Sequence, residues 1–150
     1  MSVRDLIPIL QVAIGPVILI SGVGLLLLCM TNRFARIVDR SRQLSNALHA
    51  APEAARALIA SQLEILSTRA RLVRLSILLA AFAVLLAATL IIVLFLTALV
   101  GLEAPWLLAA IFIACMACVI GAMVVFIRDI NLSLAALKLE LDSAMTTTHA

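Results

Sequence analysis

The chain has 150 residues, of which 65% are apolar and only 13% charged, with a formal net charge of +3. Soluble domains average about 45–50% apolar and about 25% charged residues, and a fold this short lacks the interior to hide such an excess. With a mean hydropathy of +1.26, the composition excludes ordinary soluble enzyme folds and points to an integral membrane protein.

Three stretches carry no charge: Leu6 to Asn32, Leu75 to Leu102 and Ala104 to Ile127. A spanning helix needs about 20 apolar residues, and backbone groups in lipid must bond within their own segment. Spans are therefore predicted at about residues 6–32, 75–102 and 104–127. Nothing alternates with period two, which argues against a β-barrel.

The first run is too long for a signal peptide and ends in Asn32-Arg33 rather than a small-residue cleavage site, so it is read as a retained span. Pro16 removes one backbone bond and is expected to kink or loosen it. Gln11, Gly15, Ile18, Gly22, Leu25, Cys29, Asn32 and Arg36 recur at spacings of three and four, with Ser21 at the border. This face, with Arg33 beside it, is a candidate pore lining in an oligomer, with Ile18 and Leu25 as constrictions that gate by dewetting. The plainer reading is a packed face whose amides bond to neighbours or headgroups.

Residues 33–74 hold eight arginines against Asp39, Glu53 and Glu64. Loops rich in Arg and Lys stay cytoplasmic, which puts the N-terminus outside and the C-terminus inside. Within this segment Phe34, Ile37, Ser41, Leu44 and Leu48 form one apolar stripe, and Ile59, Leu63, Leu66, Ala70, Val73 and Ile77 another. Between them, His49 suits a helix end, while Pro52 and Glu53 suit the start of the next. The segment is thus predicted to be an antiparallel helical hairpin turning near Ala50. Positions summing to about 100 then face each other, placing Arg36 near Glu64. A charge network of Arg36, Asp39, Arg40 and Glu64 is one reading; a solvated charged surface is the other.

The second and third spans join through a short turn holding Glu103. In the third, Ala110, Ala114, Cys118 and Ala122 recur four apart, beside Ala117 and Gly121, a spacing that lets helices approach closely in lipid. Cys115-Met-Ala-Cys118 is a CxxC, but redox pairs of that form open soluble helices beside a sheet. Here the thiols, like Cys29, read first as small apolar residues. A tail helix over 128–145 is marked by Ile130, Leu134, Leu137 and Leu141, with a Thr-rich end from Met145 to Ala150 expected to fray.

The stretch from Gly15 to Leu44 resembles a bacterial membrane family catalogued as a domain of unknown function. The resemblance rests on Pro16, the Ser21–Leu27 run, Asn32-Arg33, Asp39-Arg40-Ser41-Arg42 and the later Arg69, Arg71 and Arg74. It implies a small three-helix protein of the bacterial inner membrane and brings no activity or substrate.

Nothing in the sequence supports an enzyme. Cysteines apart, no ionisable side chain lies inside the runs, His49 and His149 are too distant for a metal site, and no nucleotide-binding loop is present. No cofactor or nucleic acid is expected. The basic residues flank the membrane, which suits anionic lipid headgroups as partners. The sequence therefore predicts an all-α membrane bundle of three spans with a cytoplasmic helical hairpin and a C-terminal helix. Three functional readings follow: a homo-oligomer with an ion-conducting or sensing role, a scaffold acting through its cytoplasmic helices, and, remotely, a redox protein using Cys115 and Cys118.

Overall fold

The computed structural model describes the backbone of residues 3–50, 52–101 and 104–148 and the side chains of 7–133, except 9, 50, 51, 54, 55, 58, 102 and 103. Leu134, Leu137 and Leu141 of the expected tail stripe, and Glu103 of the short turn before the third span, lie outside the described side chains. Among the described residues all regular structure is helical: α1 (Val3–Ala50), α2 (Glu53–Val100) and α3 (Pro105–Thr148). Each carries a stretch long and apolar enough to cross a membrane, with mean hydropathies of 2.5, 3.1 and 2.9.

The helices do not stop where the charge-free runs stop. α1 passes from Asn32 into Arg33 without interruption, and α3 continues to Thr148, beyond the point where the Thr-rich end was expected to fray. No glycine or proline near Arg33, Arg74 or Arg128 breaks the backbone bonding, so helix propagates across the change in polarity. Pro8 and Pro16 both lie inside unbroken α1; Pro16 has no N–H to close the bond to the Val12 carbonyl. At the first turn α1 ends with basic His49 in its last turn, and α2 opens with Glu53 directly after Pro52. The Glu53 carboxylate complements the positive end of the α2 dipole. At the second, Gly101 adopts a left-handed φ of 71°, the conformation that ends helices without a Cβ penalty. The Ala104 carbonyl accepts from the Leu107 and Leu108 amides, and Pro105 occupies the first helical position, where no N–H is needed.

Contacts divide the chain into two compact units, to which all three helices contribute. The first comprises Met1–Thr31 and Ile77–Ala122. One buried cluster in it is of small side chains, Ala83, Ala87 and Cys115, with Leu19, Ile20, Leu86, Cys118 and Val119 packed around them; Ala13, Ala80 and Ala122 are buried too, along with the larger Val23, Met30 and Leu90. Large apolar side chains point outward, among them Ile18, Leu25, Leu99 and Trp106. That inversion is the expected pattern in lipid, where Leu and Ile lose nothing by exposure and small residues let helix backbones approach.

The second unit comprises Asn32–Ser76 and Met123–Ala150. It buries Ile37 and Leu44 from α1, Val73 and Ser76 from α2, and Asp129 from α3. The α1 stripe read from sequence is therefore turned inward, with Phe34, Ser41 and Leu48 half-buried beside Ile37 and Leu44. Ser76 satisfies its hydroxyl by donating to the Leu72 carbonyl at 3.2 Å.

Along each helix the buried positions recur every seven residues: Val23, Met30, Ile37 and Leu44 on α1; Val73, Ala80 and Ala87 on α2, with Ser76, Ala83 and Leu90 beside them; Cys115, Ala122 and Asp129 on α3. A sustained seven-residue repeat is the pattern of left-handed helix packing. In α3 the stripe of small residues four apart is only partly used for packing within the chain. Ala122 is buried and Cys118 and Gly121 are half-buried, but Ala110, Ala114 and Ala117 are exposed.

Candidate functional site

Asp129 is the one charged side chain among the described residues that is fully buried. It occupies a seam position of α3, and a lone carboxylate there would cost several kcal/mol. Two arginines offset that cost. Arg33 Nε of α1 lies 2.9 Å from Oδ2, and Arg69 Nε of α2 lies 3.5 Å from Oδ1. The Arg33 contact is an ion pair by distance; its angle leaves Oδ2 without a hydrogen bond. Arg69 also donates through Nη2 to the Ser133 hydroxyl at 2.9 Å. The Arg33 guanidinium lies 5.6 Å from the centre of the Phe126 ring, within cation–π range. One carboxylate thus ties both hairpin helices to α3.

The same two arginines form part of the wall of an open cleft of about 310 Å³. Arg36 and Arg40 of α1 and Ser133 of α3 complete its polar lining, and Ile37 and Leu66 supply the apolar part. Four arginines and no carboxylate line the cleft, and Asp129 pairs with two of them, so the lining carries a net positive charge. Among the described residues no ion pair engages Arg36 or Arg40.

The expected network of Arg36, Asp39, Arg40 and Glu64 is not assembled as an ion-pair set among the described residues. Asp39 and Glu64 are exposed, and the Glu64 carbonyl instead accepts from Ser67 and Thr68. The cause is register. Arg33 with Arg69, and Arg36 with Leu66, line one cleft, so facing positions sum to about 102 rather than 100. The α2 residue that lines the cleft with Arg36 is Leu66, two positions beyond Glu64, and the Glu64 side chain is exposed.

On the candidate pore face Gln11, Gly15, Ile18, Ser21, Gly22, Leu25 and Cys29 are all exposed, as are Asn32 and Arg36; Arg33 alone turns inward, to Asp129. No atom lies within 4 Å of where a Cβ would stand on Gly15 or Gly22. Of the CxxC thiols, Cys115 is buried and donates to the Ala83 carbonyl at 3.2 Å, Cys118 is half-buried, and both, like exposed Cys29, are free. His49 is exposed, and no group of three metal-ligating side chains occurs among the described residues.

Asp129 and Ser133 are not among the residues the sequence singles out, and Arg69 figures there only in the family resemblance. Asp129 follows Arg128 directly and reads as half of a neutral surface pair. Its signal was its place seven residues after Ala122 and fourteen after Cys115.

A family described as a protein of unknown function, DUF2721, matches residues 13–139. The chain belongs to the DUF2721 family. No curated protein and no solved structure matches it. The matched part of this DUF2721 chain takes in the Asp129 cluster, the arginine cleft and the α1 face from Gly15 onward; Gln11 precedes it.

Proposed function

We propose that this DUF2721 chain is a non-enzymatic protein of the bacterial inner membrane that works as a homo-oligomer, with α1 toward the symmetry axis and an ion-conducting or sensing role. The supporting observation is a second seven-residue seam on α1 that is exposed among the described residues. Gln11, Ile18, Leu25 and Asn32 recur every seven residues and are all exposed. Gly15, Gly22 and Cys29 recur beside them, leaving a shallow, partly polar face. Amides and hydroxyls prefer polar partners to hydrocarbon, and copies around a closed axis bring identical polar groups together. Ile18 and Leu25 form the narrowest rings of such an assembly. Two expected results test it. Leu25→Ser raises ion leak from reconstituted vesicles, and Gln11→Ala changes that leak; a strictly monomeric particle, or unchanged leak across the series, eliminates the reading.

The scaffold alternative calls for exposed apolar stripes on the hairpin, whereas Ile37, Leu44 and Val73 are buried; this favours the oligomer reading. For orientation, the arginine excess of residues 33–74 places the hairpin in the cytoplasm and the N-terminus outside. A Ser45→Cys variant should resist membrane-impermeant thiol reagents in intact cells and react after permeabilisation. Labelling from outside would reverse the topology.

A further inference from the structure

We propose that the cleft lined by Arg33, Arg36, Arg40, Arg69 and Ser133 is a binding site for a phosphate group, carried by an anionic phospholipid headgroup or by a soluble phosphate compound. Guanidinium groups present paired N–H donors that match phosphate oxygens, and four converge on an open cleft of about 310 Å³. Asp129 pairs with Arg33 and Arg69, so it holds those two in place but cannot neutralise the set. Arg36 and Arg40 lie one turn apart on α1 and are exposed, with no ion pair among the described residues. The Ser133 hydroxyl accepts from Arg69, leaving its own proton to donate to an anion.

Position along the sequence supports the ligand class. Arg33 directly follows the first charge-free run, and Arg69 and Ser133 lie within two turns of the second and third. At about 1.5 Å per residue, every lining residue falls within roughly 12 Å of an apolar boundary. That is the depth of lipid phosphates and the water just beyond. The lining comes from one protomer, so the site does not depend on the proposed α1 assembly, although Arg36 also lies at the end of that α1 face.

The test is native mass spectrometry of the full chain in detergent, reading adducts on the monomer peak. Phosphatidic acid is the probe and phosphatidylcholine the zwitterionic control. Wild type should carry phosphatidic acid, and Arg36→Gln/Arg40→Gln should lose about tenfold or more in adduct affinity, as expected for removing two charge-assisted contacts. Arg42→Gln/Arg71→Gln removes equal charge from exposed arginines outside the cleft and should leave the adduct within about twofold, less than one such contact supplies. Arg36→Gln alone, a milder change at an exposed position, should weaken the adduct severalfold. Calorimetry with inorganic phosphate separates the sources. Phosphate binding with the same arginine dependence identifies a soluble ligand, and lipid binding alone identifies a headgroup. Equal losses in the two double variants, or none in either, overturn the site.

Discussion

Asp129→Asn should be the most damaging single substitution in the chain, costing about 3 kcal/mol of stability, the lower end of the range for breaking a buried ion pair. The side chain of Asp129 is fully buried, while those of Arg33 and Arg69 retain 24% and 19% exposure. Asparagine keeps the shape but removes the charge, leaving two guanidinium groups facing each other without a counter-ion. The exposure of the arginines lets water relieve part of that repulsion, which is why the lower figure applies. Thermal melts followed by circular dichroism in detergent micelles measure the effect. The triple variant Asp129→Asn/Arg33→Gln/Arg69→Gln should regain part of the loss, because the uncompensated charges go with the carboxylate. An Asp129→Asn variant as stable as wild type would show that the two ion pairs contribute nothing.

Ala83→Leu should open the small-residue seam. Ala83 is fully buried beside Ala87 and Cys115, and its carbonyl accepts the Cys115 thiol. A leucine there adds three carbons where backbones approach closely, an overpacking that costs about 1–3 kcal/mol. The specific readout is Cys115 itself. In a background lacking Cys29 and Cys118, maleimide should modify Cys115 slowly in wild type and much faster in Ala83→Leu. Ala81→Leu, on the exposed side of α2, should change neither stability nor labelling, because leucine facing lipid loses nothing. Equal labelling in both variants would mean that the Ala83 seam does not control helix approach.

The sequence by itself determined the three helices, both turns and the apolar stripes of the hairpin. Those follow from local causes that a single chain displays: charge-free runs of spanning length, Pro52-Glu53 at a helix start, the short break at Glu103 between the second and third runs, and apolar residues at spacings of three and four. Only the tertiary structure decided which charges meet. The spacing of a stripe tells which face of a helix is buried but leaves the register against its neighbour open by a residue or so. Two residues along α2 separate Glu64 from Leu66, which lines the observed cleft with Arg33, Arg36, Arg40 and Arg69. Asp129 shows the same limit from the other side. Next to Arg128 its charge looks locally cancelled, and its true partners lie 96 and 60 residues away on α1 and α2. Burial comes from the packing of three helices together, and a charge becomes costly, and so selective about its partners, only once that packing has removed its water.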